Sequence, residues 1–503
     1  MRVKVEYDAT DYKKEGFPFG RRSFKYAFKP VLPQESKFNF GFIYPVSENF
    51  HLKLNYVKGN TLSLGFSIQA NLGPKDPLIK KNDKHQTIDK ASIIRKVNEK
   101  EQRYVYLTAL KYLNERGLFV QAADIEDTKL KVVYTQSTHS SWIRSSGRVS
   151  RVLNEIAPDY IKEFSIANTN GGFGTHEVNI PRDAFENNIE HEDFTLVAKE
   201  TTISNFNYNR ESYAFQPEAK FPSIFWNLAP ALRSQIGGPD GFYFGDLRLS
   251  FHAETLFSPA LSLIVKTSAG VINNFDELKL ASDSILPHVR TDIVKYLKES
   301  EKFAIERIQL NYFQKPFKNL YLKGAIGLFE PMFGAIGGEV LYRPFNANYG
   351  IGAELWRAKQ RSYKQNFNFR DYETTTGHLN FYYREPRSKV LFSLKGGKFL
   401  AGDSGINFDF ERRFKSGVRM GIFFSRTDIS KAEFGEGSFD KGFYFHIPVE
   451  VFFRNHSKGL AGFGLRPITR DGAQLLVHTH HLWGVTEQAQ LASINRDWDD
   501  LYD

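Results

Sequence analysis

The sequence predicts a mainly β protein: a transmembrane antiparallel β-barrel of about fourteen strands toward the C-terminus, a small periplasmic α/β domain before it, and the last strands of a preceding β-barrel at the N-terminus. Three observations carry this reading. Between Phe225 and Leu482 apolar and polar residues alternate at period two in stretches of roughly ten, the length a tilted strand needs to cross lipid. The connections alternate in length: 271–302 is long, 315–318 short, 359–374 long, 386–388 short and 428–441 long. Outer-membrane barrels have that asymmetry, with short periplasmic turns and longer outer loops. Aromatic clusters such as Phe242-Tyr243-Phe244 and Phe381-Tyr382-Tyr383 stand at segment ends, where an interfacial girdle would lie.

Residues 1–73 supply four or five strands, among them Phe50/Leu52/Leu54/Tyr56 and Leu62/Leu64/Phe66/Ile68. These are too few to close a barrel and are expected to be the C-terminal part of a first one. Met1 opens directly into the strand-like Arg2-Val-Lys-Val-Glu-Tyr7, with no apolar signal core. The signal peptide and much of the first barrel are therefore expected to be missing from this chain. Residues 74–95, rich in Lys, Asp and Pro, read as a linker.

From 96 to 200 the pattern changes to that of a small α/β domain. Tyr104, Leu107, Leu110, Tyr112 and Leu113 have helical spacing over 101–116, closed by Gly117. Strands are expected at 119–125 and 129–135 with Asp127 in the turn, a second helix at 145–157 before Pro158, strands at 160–167 and 175–180, and a short helix at 181–187. Asn170-Gly-Gly-Phe-Gly174 reads as a turn, because no Lys follows the glycines and no helix opens there.

The main barrel is expected over 201–484, with 485–503 as a tail. Leu247, Leu249, Phe251 and Ala253 point one way, and Arg248, Ser250, His252 and Glu254 the other. Ile406/Phe408/Phe410 against Asn407/Asp409/Glu411 repeats the pattern. Inward charges at Arg248, Glu254, Glu339, Arg343, Glu354, Asp409, Arg412, Arg419 and Glu450 read as the charge ladder of a polar lumen. In the long loop, Val289, Ile293, Tyr296 and Leu297 share a face of a helix over 286–300, a plug, gate or cap with Arg290, Asp292 and Lys295 toward the lumen. His478 and His480 share one strand face, but without a third ligand nearby no metal site is assigned.

Composition excludes several classes. No cysteine among 503 residues rules out disulfides and cysteine-bound metals. No run approaches the roughly 18 apolar residues of a spanning helix, and the mean hydropathy is −0.41. The net charge of +10 is dispersed, with no basic stripe for nucleic acid; the excess is expected to meet lipopolysaccharide phosphates or an acidic polymer.

Four motifs go further: Leu286-Pro-His-Val-Arg-Thr-Asp-Ile-Val-Lys-Tyr-Leu297, Gly337-Gly-Glu-Val-Leu-Tyr-Arg-Pro-Phe345, Lys398-Phe-Leu-Ala-Gly-Asp403 and Phe434-Gly-Glu-Gly-Ser-Phe-Asp-Lys-Gly442. Together they resemble the YjbH/GfcD family of exopolysaccharide-associated outer-membrane proteins, along essentially the whole chain. The resemblance implies a protein of the bacterial outer membrane, from an exopolysaccharide or group 4 capsule type operon, with two barrel regions flanking a periplasmic α/β module. It supplies no catalytic residues and no cofactor. Candidate glycan or lumen contacts are Arg290, Asp292, Glu339, Arg343, Asp403, Glu436, Phe439, Asp440 and Lys441. Glu436, Asp440 and Lys441 would bind sugar hydroxyls while Phe439 stacks on a pyranose, or the loop would pin itself into the lumen by ion pairs. The expected function is non-enzymatic assistance of exopolysaccharide export or surface assembly. The expected partners are outer-membrane lipid and lipopolysaccharide, the polymer, and other secretion proteins. The alternatives are a glycan-modifying enzyme on a barrel scaffold and a structural barrel anchoring the α/β module.

Overall fold

The computed structural model describes residues 1–9, 34–47, 50–69, 102–189, 193–236, 243–279, 284–434, 439–467 and 470–502. The expected linker at 74–95 lies outside them. The chain divides into two compact units, residues 1–80 and 81–503.

In the first unit β1 (Arg2–Tyr7), β2 (Phe38–Pro45), β3 (Phe50–Val57) and β4 (Thr61–Ile68) form an antiparallel meander. Val3 lies opposite Phe42, Phe42 opposite Leu54 and Leu54 opposite Leu64, and directly paired residues share a face. All four are exposed, so the alternation of the sequence becomes a continuous apolar surface.

The second unit begins with α1 (Gln102–Asn114), β5 (Leu118–Glu126), β6 (Lys129–Gln136), α2 (Trp142–Ile156), β7 (Glu163–Asn170), β8 (Phe173–Pro181), α3 (Arg182–Ile189), α4 (Phe194–Glu200) and β9 (Thr202–Asn205). Its sheet has the order β5-β6-β7-β8-β9, parallel only where α2 crosses from β6 to β7. Helix α2 starts earlier than hydrophobic spacing indicates, because the Ser141 hydroxyl caps it by accepting from the Arg144 amide. Helix α4 and strand β9 were not anticipated; Asp193 caps α4 through the amides of Thr195 and Leu196.

The rest of the unit is a thirteen-stranded antiparallel meander, so the chain is mainly β. Its first half is β10 (Ser223–Ile236), β11 (Tyr243–Ser258), β12 (Leu261–Asn273), β13 (Phe303–Phe317), β14 (Leu320–Leu328), β15 (Phe333–Tyr342) and β16 (Tyr349–Arg361). The second half is β17 (Phe369–Arg384), β18 (Val390–Lys398), β19 (Ser404–Arg413), β20 (Arg419–Thr427), β21 (Lys441–Pro448) and β22 (Leu460–Leu465). Each strand pairs with its sequence neighbours, and among the described residues β10 and β22 are not paired with each other.

Several sequence expectations are corrected here. The strand count is thirteen among the described residues, where the sequence suggested about fourteen, and the period-two pattern after Leu465 does not form a strand. Ala473 and His480 take left-handed backbone angles (φ 61° and 53°), which interrupts the pleat, and the segment runs across the sheet instead of along its edge. The long connection expected at 359–374 shrinks to 362–368, because β16 and β17 extend into it. The helix expected at 286–300 covers only Ile293–Glu299. Glu450 lies in the 3-10 turn Val449–Phe452 instead of a strand.

The sheet's burial is the reverse of a water-soluble protein's. On β11, Leu247, Leu249 and Phe251 are exposed while Asp246, Arg248 and Ser250 are buried. On β17, Leu379, Phe381 and Tyr383 face out while His378, Asn380 and Arg384 are buried. The polar face is the inner one.

Candidate functional site

Much of that polar face is covered by the chain's own C-terminal segment, Arg466 and residues 470–502, while Arg248 on β11 is covered by Ser300 and Glu301, whose carbonyls accept from its guanidinium. Arg343, just past β15, binds the Thr486 hydroxyl at 3.1 Å, and Arg419, at the start of β20, pairs with the next residue, Glu487, at 3.2 Å. In a flat sheet strands β15 and β20 would stand about 24 Å apart, so the sheet curves around the segment.

At the long-loop end, the Asp471 carboxylate accepts from the amides of Arg290 (2.7 Å) and Thr291 (3.0 Å) and from the Thr291 hydroxyl (2.6 Å). Arg290 extends its guanidinium to Glu330 at 3.0 Å and to the Leu475 carbonyl at 2.8 Å. Asp403 accepts from the Ala473 amide at 2.7 Å, and Asp440 pairs with Arg466 at 3.1 Å.

Midway, Lys323 donates to His478 Nδ1 at 2.9 Å and to the Thr479 carbonyl at 2.5 Å. His478 Nε2 faces Glu339 at 3.2 Å and Glu354 at 3.3 Å, and His481 Nδ1 lies 3.0 Å from Glu339. Lys323 at Nδ1 and the two carboxylates at Nε2 fit a ring that accepts at Nδ1 and donates at Nε2. The donor atoms of Glu339, Glu354, His478 and His481 lie within 4.8 Å of one another, a span that a divalent cation could bridge. Their charge is already answered by Lys323 and by Lys395, 3.3 Å from Glu354. Sequence reasoning lacked a third ligand for the histidines; the two glutamates come from neighbouring strands and only the fold brings them together.

At the short-turn end, Arg343 donates to the Trp483 carbonyl at 2.7 Å and to Gln490 at 2.9 Å, and Trp483 stacks on Tyr382 with ring centroids 4.2 Å apart. Glu487 is buried among Arg413 (2.9 Å), Arg419 (3.2 Å), Arg496 (3.0 Å) and Arg384 (4.0 Å). Burial opposes its charge, but Arg413, Arg419, Arg496 and Arg384 hold its carboxyl well below the usual range.

The segment ends inside the α/β domain. Ile494, Trp498, Leu501 and Tyr502 belong to that domain's core. Trp498 donates to the Phe194 carbonyl at 3.0 Å, Tyr502 to the Phe185 carbonyl at 3.2 Å, and Arg151 to the Tyr502 carbonyl at 2.7 Å. The same domain grips the sheet's turns. Ser140 donates to Glu450 at 2.6 Å, Lys458 to the Gln136 carbonyl at 2.7 Å, and Lys315 to the carbonyls of Gly174 and Phe206. The glycine-rich 170–174 turn packs on the β11–β12 turn, where a side chain on Gly172 would come within 2.9 Å of the Ala260 amide.

Of the candidate glycan contacts, Arg290, Glu339, Arg343, Asp403 and Asp440 therefore meet the C-terminal segment. Asp292 is bonded by Tyr363, His288 and Lys295. Lys441 lies 4.2 Å from the ring centre of Phe439, which is exposed, and Glu436 is outside the described residues. Glu487, Arg384 and Arg413 were missed. The available signal was Leu491, Ile494, Trp498 and Leu501, whose helical spacing marks an apolar stripe in need of a core.

A family model described as "Exopolysaccharide biosynthesis protein YbjH" matches residues 1–488. An Escherichia coli (strain K12) relative, described as the uncharacterized lipoprotein YjbH, is 29% identical over 97% of this chain and 68% of its own length.

Proposed function

The chain belongs to the YjbH family of exopolysaccharide biosynthesis proteins, and on that premise we propose that it is an outer-membrane β-barrel protein assisting exopolysaccharide export or surface assembly without itself being an enzyme. The observation that carries the membrane reading is the inverted sheet. Rows of exposed Leu, Phe and Tyr outside and buried Arg, Glu, His and Asn inside are stable where the surroundings are apolar. A lipid setting requires that the edges of β10 and β22 meet, since unpaired backbone is costly there. The relative's description as a lipoprotein agrees with an envelope location.

The end of the sheet gripped by the α/β domain is the periplasmic end, and the end with the connections around Arg290, Asp403 and Asp440 the outer one. The polymer meets a barrel filled by its own C-terminal segment, so passage requires that segment to give way. The α/β domain holds the segment's end and is the place where other secretion components would act on it. Of the inner carboxylates, Glu354 and Glu487 are tied to cations and Glu339 is bonded by the His481 ring and the Leu482 amide, which leaves them poorly placed as a free acid and base for glycosidic chemistry.

The test is deletion in a producing bacterium together with fractionation of the tagged protein. Loss of surface exopolysaccharide and recovery in the outer membrane, with a gel mobility that changes on heating, are expected. Recovery of the folded protein in the soluble fraction would overturn the reading, as would unchanged surface polymer.

A further inference from the structure

We propose that Arg384, Arg413 and Arg419 form a binding subsite for the carboxylates of an acidic polysaccharide, and that Glu487 occupies it as an internal stand-in until the polymer displaces it. This rests on the reading of the sheet as a polymer-handling barrel and names the class of polymer.

The three arginines project from the ends of β17 and β19 and the start of β20 to one place on the inner face. Among the described residues three carboxylates answer them: Glu487 from the C-terminal segment, Glu411, 3.6 Å from Arg419, and Asp497, whose charge also acts on Arg413. Arg496, the fourth cation at Glu487, already has its own bidentate partner in Asp497 at 2.7 Å. Donors are in excess. Each guanidinium carries five N–H groups, whereas a carboxylate offers about four acceptor positions. The Nε atoms of Arg384, Arg413 and Arg419 are all buried without a hydrogen-bond partner, and Arg384 comes no nearer than 4.0 Å to Glu487. A uronate residue brings a carboxylate together with ring and hydroxyl oxygens, which supplies the acceptors that one glutamate lacks. Arg forks are suited to carboxylates in this way.

The segment carrying Glu487 and its anchor are held separately. Residues 471–490 combine hydrogen bonds and ion pairs with apolar contacts of Leu476, Leu482, Val485 and Ala489 on the inner face of the sheet, while Ile494, Trp498, Leu501 and Tyr502 are anchored in the apolar core of the α/β domain. Displacement of Glu487 would leave that anchor in place.

The experiment uses the full chain folded in detergent, with short oligogalacturonate as the probe and maltodextrin of equal length as the neutral control. Glu487→Gln is expected to bind oligogalacturonate at least about tenfold more tightly than the parent, and Arg413→Gln added to it to abolish the gain. Because Glu487→Gln could unfold the site, a second measurement leaves these residues intact. The chain has no cysteine, and a side chain at Gly484 would meet nothing within 4 Å, so Gly484→Cys can carry a nitroxide label. Oligogalacturonate should mobilise the label and maltodextrin should not. A label unmoved by oligogalacturonate, or moved equally by both, overturns the proposal. Neither result touches the export reading, which is judged by surface polymer in cells.

Discussion

Arg343 holds Trp483 in two ways: its guanidinium lies 3.7 Å from the centre of the indole and donates to the Trp483 carbonyl at 2.7 Å. The same fork reaches Thr486 and Gln490, so one buried side chain at the sheet's end fixes a full turn of the C-terminal segment.

Arg343→Lys should release that turn. Lysine keeps the charge but has neither the planar fork nor the stacking surface, and the lost contacts are worth about 2–4 kcal/mol. Hydrogen exchange of residues 482–490 is expected to accelerate while that of β14 and β15 stays slow. Equal protection in the two proteins would contradict the docking described.

Gly147→Ala should destabilise the α/β domain even though alanine is the better helix former. The added carbon would stand 1.7 Å from the Leu501 carbonyl oxygen, so either the C-terminus or helix α2 must move, at about 1–3 kcal/mol. Protease sensitivity of the last residues reports it. A higher melting temperature with the C-terminus still protected would refute the packing.

Acid should loosen the α/β domain from the sheet's turn at Glu450. Burial works against this carboxylate's charge, but hydrogen bonds from His456 and Ser140, with the Arg144 charge, hold it down to about 2. A carboxylate with a depressed folded value contributes stability that is present above its unfolded value, about 4.3, and is lost as pH falls through about 2. Chemical cross-linking between the domain and the 449–459 connection should therefore fail in strong acid, and Glu450→Gln should flatten that response.

Leu379→Arg tests the inverted sheet. Leu379 is 73% exposed on the outer face of β17. In a bilayer an arginine there would cost about 2–4 kcal/mol and lower the yield of heat-modifiable protein. In water the change would cost within about 0.5 kcal/mol, so an unaltered yield would argue against lipid on that face.

Legibility followed the range of the interactions. The alternation Leu247/Arg248/Leu249/Ser250 identified strand and face, because a pleated strand separates neighbours by itself. Helix α1 was readable from its spacing and Gly117, whose φ of 72° is the left-handed angle of a helix C-terminus. The segment around His478 alternates equally well, yet its partners Lys323, Glu339 and Glu354 lie on three different strands more than a hundred residues away.

The sequence by itself determined most of the strands and their two faces, because each depends on residues a few positions apart; the expected alternation of short and long connections did not hold, since 329–332 and 399–403 are short and 449–459 at the opposite end is longer. Only the tertiary structure decided what the polar face is for. Glu339, Arg343 and Asp403 look like glycan or lumen contacts when read along the chain, and they are in fact bound to the C-terminal segment. A charge in a one-dimensional pattern has a face but no partner. The partner is chosen when the curved sheet brings distant strands within hydrogen-bonding distance of one segment, and burial there demands that each charge be matched.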